Sequence, residues 1–130
     1  MTNYKKGDVI LALFPDSNLK TAKKRPVLIV QADNLKTNLP QIIVAMVTSN
    51  LSKSGHQSRV LIELSAKIGK ESGLLSDSLI ATDNLATLHE KFIYKKLGDL
   101  SDMSEVEKAL AHTFGLKINP DSQSFNLNIR

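Results

Sequence analysis

Residues 23–31, KKRPVLIVQ, place three consecutive cations directly before a proline and four apolar residues. The apolar run contains two valines and one isoleucine and is shorter than an ordinary helix, so it predicts a buried strand. Pro26 suits the first position of that strand, because proline lacks an N–H group and is poorly tolerated within a sheet. Arg25 is therefore predicted at the mouth of the strand, where a rigidly held guanidinium can bind a phosphate through two parallel hydrogen bonds.

Similar apolar runs on either side of this segment predict further strands. Residues 7–15 predict a turn, an apolar strand and a proline stop, and residues 41–49 form the most hydrophobic strand, which ends in two hydroxyl residues. The polar residues 16–24 between the first two strands predict a basic loop. Shorter strands are predicted at residues 59–64 and 92–94, and many short strands at this spacing are typical of a closed sheet or small barrel.

After the fourth predicted strand, the apolar segments are shorter and are interrupted by polar residues. Residues 68–73 predict a glycine-flanked connection, and residues 74–88 predict short apolar pieces separated by Ser76-Asp77-Ser78 and by Asp83-Asn84. The last element is a helix that begins near Ser101 or Ser104. It stops at Gly115, and one apolar face is formed by Val106, Ala109, Leu110, Thr113 and Phe114.

We therefore predict a mainly β fold, a small barrel with a C-terminal α-helix. Residues 1–116 form the predicted domain, and residues 117–130 are a polar tail that either adds an edge strand or is disordered. A chain of 130 residues is long enough for one domain that buries roughly two-thirds of its unfolded surface.

Composition limits the classes of function. The chain has no cysteine, which excludes disulfides and thiolate metal sites and fits the cytoplasm, and no apolar run reaches the length of a membrane span. No secretory signal is visible at the N-terminus. Residues 1–25 carry six cations against two acids, which accounts for the whole net charge of +4. This distribution favours a polyanionic partner, although a solvated basic loop explains it as well.

Familiar catalytic motifs are missing. The six glycines form neither a Walker-type loop nor a dinucleotide-binding pattern. The three histidines lie far apart without metal-ligand spacing. Of these, His56 lies in a polar loop beside Lys53 and Arg59, where a contact with nucleic acid is one interpretation.

The chain resembles the MazF/PemK family of bacterial toxins. The matching segments run in order from about residue 5 to residue 116, and together they are more specific than any one of them. They are residues 7–9 (GDV), 25–30 (RPVLIV), 43–49 (IVAMVTS), 73–83, 97–101 (LGDLS), and the helix with residues 115–116.

This resemblance implies an SH3-like barrel that forms a homodimer and cleaves single-stranded RNA at short sequences without metal or cofactor. Attack by the RNA's own 2′-hydroxyl would leave 2′,3′-cyclic phosphate and 5′-hydroxyl ends, and the cleavage would inhibit translation and growth. The resemblance also implies restraint by a cognate antitoxin, binding of operator DNA only together with that antitoxin, a cytoplasmic location, and no membrane partner. Arg25 matches the family's catalytic arginine, Thr48 matches the hydroxyl that works beside it, and Asp77 falls where many members carry an acid. Contacts with the RNA are assigned to Lys20, Lys23, Lys24, Ser49, Lys53 and His56.

Three positions depart from the family pattern. Many members have a glutamate where this chain has Lys20, and arginines where it has Leu75 and Ile80. An inactive family member is therefore one alternative. Structural roles are others: Arg25 capping a strand end, Thr48 as a β-branched strand residue, and Asp77 in an Asx-turn.

Two rival functions follow from the same fold. One is a non-enzymatic toxin that poisons DNA gyrase through its helix end, but relatives of that kind place a tryptophan there and this chain has none. The other is a nucleic-acid-binding barrel without catalysis, which would show salt-dependent binding and no products.

Overall fold

The structure is a computed structural model, and it describes residues 3–117. Within this range, no helix is long and apolar enough to cross a membrane. Six strands, two α-helices and one 3₁₀ turn follow one another along the chain. They are β1 (Asp8–Pro15), β2 (Ala22–Ile29), β3 (Gln41–Thr48), β4 (Arg59–Ile62), α1 (Lys67–Ser72), β5 (Ser78–His89), the 3₁₀ turn (Glu90–Phe92), β6 (Ile93–Asp99) and α2 (Ser104–Phe114).

The strands form one antiparallel sheet in the order β4-β5-β3-β2-β1-β6. The prediction of a mainly β fold with a C-terminal helix is confirmed. The predicted closure is not found, because in the described part of the chain β4 pairs only with β5 and β6 only with β1.

Each face of the sheet buries its own apolar cluster, as the alternation of side chains along a strand requires. The first cluster combines Val9 of β1, Leu28 of β2 and Ile62 of β4 with Val106 of α2. Since β1 and β4 lie far apart in the strand order, the sheet must curve around this cluster. The second cluster lies on the opposite face and is formed by Ile10, Ala12, Phe14, Val27, Ile29, Ile42, Val44 and Leu88.

The second strand starts earlier than the sequence predicts. β2 begins at Ala22, so Lys23 and Lys24 lie within the strand rather than in the predicted loop. Arg25 lies inside the strand rather than at its mouth, and Pro26 is not the first residue of the strand. Pro26 pairs with Leu11 of β1, whereas the ladder to β3 begins only at Val27. At Pro26 the strand is therefore paired on one side only, which is where a sheet tolerates proline.

The region 68–88 also differs from the prediction. A short helix, α1, occupies the predicted connection, and β5 is one strand of 12 residues instead of several pieces. The Asp83-Asn84 interruption is a β-bulge: Ala45 of β3 pairs with Leu85, but the next residue, Met46, pairs with Ala81. A bulge inserts extra residues without ending the strand, so polar residues there do not mark a break.

The C-terminal helix ends at Gly115, as predicted, with a φ angle of 69° that favours glycine. Its buried residues are Val106, Ala109 and Ala111, whereas Phe114 was wrongly assigned to the buried face and is 59% exposed. Thr113 faces the sheet, where its hydroxyl hydrogen-bonds with that of Thr82 at 2.8 Å. The predicted tail lies outside the described residues, apart from Lys117.

Candidate functional site

The position of Arg25 follows from the alternation of side chains along β2. Val27 and Ile29 point into the second apolar cluster, so Arg25, two residues earlier, lies on the same face at the edge of that cluster. Arg25 pairs with Ala12 of β1, and this pairing fixes the position of Arg25 along the strand. The Arg25 side chain is one-third exposed, so its charge is accessible to solvent. Its Nε atom, in contrast, is buried and has no hydrogen-bond partner among the described residues.

Thr48 is the last residue of β3, and it lies on the same face of the sheet as Arg25. Val44 and Met46 point toward the second cluster, and Thr48 continues that row. The β2–β3 register pairs Val27 with Met46, and its continuation by two residues places Arg25 opposite Thr48. The structure thus brings the two predicted residues to one pocket edge.

The first cleft opens on this face of the sheet. Arg25 and Thr48 lie on one side of it, and the turn between β1 and β2 lies on the other. Its lining residues are Pro15, Asp16, Ser17, Asn18, Thr21, Lys23, Arg25, Met46 and Thr48.

A carboxylate of the β1–β2 turn faces Arg25 across the first cleft. Arg25 donates from Nη2 to Oδ1 of Asp16 at 3.5 Å, and the Thr21 hydroxyl donates to Oδ2 of Asp16 at 2.6 Å. The Thr21 hydrogen bond, together with the charges of Lys23 and Arg25, holds the pKa of Asp16 below its ordinary value despite the opposing effect of burial. Asp16 is therefore ionised at neutral pH and carries a fixed negative charge.

The second cleft lies beyond the same edge, on the opposite face of the sheet. It is bounded by the segment that joins α1 to β5, and Arg25 and Thr48 line it as well. Its other lining residues are Leu11, Lys24, Pro26, Val47, Ser49, Gly73, Leu74, Leu75, Ser76, Ser78, Lys95 and Leu97. Arg25 and Thr48 thus form a shared rim between the two clefts, accessible from both.

A family model described as PemK-like, MazF-like toxin of type II toxin-antitoxin system matches residues 5–114. The chain belongs to this toxin family. The resemblance inferred from the sequence is thereby confirmed, and the family match extends through all six strands and both helices.

Known structures of similar fold agree with this assignment. An endoribonuclease in complex with its cognate antitoxin from a mycobacterial species superposes with a TM-score of 0.68 at 19% identity, covering 89% of this chain and 99% of that one. The Mycobacterium tuberculosis toxin MazF-mt6 gives 0.67 at 22% identity, with 85% and 99% covered. A MazE-MazF complex from Deinococcus radiodurans gives 0.65 at 16% identity, with 89% and 100% covered. At these identities the likeness establishes the fold alone.

Asp77, the acid predicted from the family pattern, lines neither cleft of this PemK/MazF-like toxin. It lies between Ser76 and Ser78, which line the second cleft. Its Oδ1 accepts a hydrogen bond from the backbone N–H of Leu64 at 2.8 Å. The proton-accepting role assigned to Asp77 stays a prediction.

The predicted RNA-binding residues separate into two groups. Lys23 lines the first cleft, and Lys24 and Ser49 line the second. Lys20, Lys53 and His56 line neither cleft, and Nδ1 of His56 is engaged by the backbone N–H and hydroxyl of Ser58 at 3.1 and 2.7 Å. The structure therefore gathers half of this set around the rim of the toxin.

The structure also places the residues that differ from the family pattern, and it adds two cleft residues that the sequence did not reveal. Leu75 is 97% exposed beside the second cleft, whereas Ile80 is buried in the first apolar cluster. Asp16 and Lys95 line the clefts but were not singled out. Asp16 resembles an ordinary turn residue in sequence, and only the hairpin register, with Pro15 paired to Ala22, would have revealed its proximity to Arg25.

Proposed function

We propose that this toxin is an endoribonuclease that cuts single-stranded RNA at the rim formed by Arg25 and Thr48, without metal. The observation that carries the proposal is the shared position of a guanidinium and a hydroxyl between two clefts. Endoribonuclease and toxin structures of the same fold support it.

Arg25 is suited to bind the scissile phosphate. Its charge is accessible at the rim, and the strand pairing on one side and the apolar cluster below fix its base. A guanidinium binds phosphate oxygens through charge-assisted hydrogen bonds, which are about twice as strong as neutral ones. Such a donor stabilises the additional negative charge on the phosphorane that forms during cleavage.

The proposed reaction uses the RNA as its own nucleophile. The ribose 2′-oxygen loses its proton to a base and bonds to phosphorus, and the bond from phosphorus to the 5′-oxygen breaks. The departing 5′-oxygen takes up a proton, so the products are a 2′,3′-cyclic phosphate and a 5′-hydroxyl. In this scheme Arg25 binds the non-bridging oxygens, and the Thr48 hydroxyl orients either the 2′-hydroxyl or a phosphate oxygen.

The placement of the rim favours a flexible substrate. A polymer that occupies both clefts must turn at Arg25 to pass from one face of the sheet to the other. Single-stranded RNA can turn in this way and expose its bases, which is how most sequence-specific RNA recognition occurs. We assign Lys23 in the first cleft, and Lys24, Ser49 and Lys95 in the second, to contacts with the RNA.

The family also indicates the partners. We propose that a cognate antitoxin restrains this protein, as in the mycobacterial and Deinococcus radiodurans complexes of the same fold. A homodimer, binding of operator DNA only together with the antitoxin, inhibition of translation and a cytoplasmic location stay predictions from the family resemblance.

The direct test is incubation of the purified toxin with a long single-stranded RNA in EDTA. We expect discrete fragments with cyclic phosphate and 5′-hydroxyl ends, and sequencing of the 5′ ends gives the cleavage motif. Intact RNA would overturn the proposal. If RNA stays whole while DNA breaks in growing cells, the gyrase-poisoning alternative is supported, and salt-dependent binding without products supports a binding barrel.

Replacement of Thr48 by valine tests the second member of the rim. Valine keeps the β-branched shape but removes the hydroxyl, which in the wild type accepts a hydrogen bond from the N–H of Asn50 at 3.1 Å. We expect cleavage to slow by at least about tenfold, with the fold intact, because one oriented polar group is lost. The rate is measured on one RNA substrate beside Thr48→Ser, which restores the hydroxyl. Equal rates for valine and serine variants would exclude a role for this oxygen.

Asp77→Asn tests the predicted base. The asparagine amide oxygen can still accept the hydrogen bond from Leu64, so the local structure is preserved while the proton acceptor is removed. A base role requires a loss of about 100-fold or more in the cleavage rate. A rate unchanged from that of wild type would assign Asp77 a purely structural function.

A further inference from the structure

The turn between β1 and β2 is organised around the backbone and side chain of Asp16. The backbone N–H of Asp16 donates to the carbonyl of Thr21 at 2.9 Å, and the Asp16 carbonyl accepts from Leu19 at 2.9 Å. The Asn18 side chain accepts from the backbone of Lys20 at 2.8 Å and of Thr21 at 3.3 Å. A turn with this many internal hydrogen bonds holds its first residue in one place.

The Asp16 carboxylate contacts both the turn and strand β2. One oxygen is bound by the Thr21 hydroxyl at 2.6 Å, and the other faces the guanidinium of Arg25 at 3.5 Å. The Asp16 side chain is only 15% exposed, although it lies in a turn. The carboxylate is thus held by Thr21 while it interacts with Arg25.

Arg25 needs such a partner if it is to bind phosphate in a fixed geometry. An arginine side chain loses about 2 kcal/mol of rotamer entropy when it is fixed, so an unsupported guanidinium samples many orientations. Among the described residues, Asp16 is the one carboxylate that forms an ion pair with Arg25, and no acceptor reaches Nε. Asp16 is therefore the group that limits the orientation of the guanidinium at the rim.

We propose that Asp16 is a positioning residue, which orients the Arg25 guanidinium toward the scissile phosphate without itself contacting the reacting atoms. The inference rests on the proposed function and adds a residue that the family pattern does not supply here, since the position of the usual glutamate is occupied by Lys20. The lowered pKa of Asp16 fits this role, because a weakly basic carboxylate keeps its charge and is poorly suited to accept a proton.

The test compares Asp16→Asn with wild type in steady-state cleavage of one RNA substrate. We expect kcat to fall on the order of tenfold, because Arg25 keeps its charge but loses its orientation, while KM does not rise. Binding of the same RNA with 2′-O-methyl groups, which cannot be cut by the proposed route, is expected to be as tight as for wild type or tighter, since a negative charge has left the cleft.

Two further variants complete the experiment. Asp102→Asn is the matched control: it changes the net charge equally, keeps a side-chain oxygen that can accept the hydrogen bond from the Ser104 N–H, and lies outside both clefts. Thr21→Val removes the hydroxyl that holds the carboxylate, and we expect a smaller loss of kcat, about threefold, in the same direction. If Asp16→Asn does not fold, Thr21→Val decides the question alone.

The outcomes separate the two proposals. Wild-type protein that cleaves RNA while Asp16→Asn cleaves equally fast overturns the positioning role and leaves the proposed function intact. Faster cleavage with tighter binding by Asp16→Asn would also overturn it, because Asp16 would then compete with the phosphate for Arg25. RNA left whole by the wild type overturns the proposed function and the positioning role together.

Discussion

Arg25→Ala is expected to lower the rate of RNA cleavage by about 100-fold or more, equivalent to about 3 kcal/mol of transition-state stabilisation. The reason is geometric. Among the described residues, Arg25 is the one cationic side chain that lines both clefts, and it shares that position with the Thr48 hydroxyl. The measurement is single-turnover cleavage of one RNA substrate in EDTA.

Arg59→Ala serves as the matched control for this variant. Arg59 is also an ion-paired arginine, bound to Asp83 at 2.8 Å, but it lines neither of the two clefts. The Arg59 side chain is 18% exposed, so its removal is expected to cost about 1–3 kcal/mol of stability, but the cleavage rate of the folded protein should stay close to that of wild type. Equal activity of Arg25→Ala and wild type would refute the catalytic assignment, and equal losses in both arginine variants would indicate a general effect of charge.

Gly73→Ala is expected to cost about 3 kcal/mol or more of folding free energy. Gly73 ends α1 with a φ angle of 74°, and a Cβ atom added there would lie 2.0 Å from the carbonyl oxygen of Leu97 in β6. A backbone carbonyl cannot move aside as a flexible side chain can, so α1 or β6 must shift. Since residues 73–76 line the second cleft, binding of uncleavable RNA should weaken as well. Urea unfolding and RNA titration measure the two effects.

Gly115→Ala is the control that separates the steric clash at Gly73 from the conformational cost of a left-handed alanine. Gly115 ends α2 with a φ angle of 69°, but an added Cβ atom would meet no neighbour within 4 Å. The substitution therefore carries only the conformational cost of a left-handed residue, about 1 kcal/mol. If both alanine variants lose the same stability, the close approach between α1 and β6 does not constrain the fold.

Local sequence patterns predicted the elements whose signals are local. The apolar run before Pro15 predicted β1, the most hydrophobic run predicted β3 to within one residue of its end at Thr48, and Gly115 marked the end of α2. Arg25 was singled out because a proline and a buried run follow it directly. In each case the residues that determine the local structure are close neighbours in the sequence.

Features that depend on pairing between distant residues could not be predicted in this way. The β-bulge in β5 exists because β3 shifts register at Met46, and Asp83-Asn84 alone look like a turn. The contact between Asp16 and Arg25 depends on where the β1–β2 hairpin closes. Whether the sheet closes depends on pairing between β4 and β6, which lie at opposite ends of the strand order.

The buried Nε of Arg25 sets the proposed catalytic role of this residue against thermal stability. Among the described residues no acceptor reaches this atom, and a buried donor without an acceptor costs about 1–3 kcal/mol, which an apolar side chain of similar length would avoid. A laboratory selection for heat tolerance alone is therefore expected to enrich methionine at residue 25, at the expense of the proposed RNA cleavage.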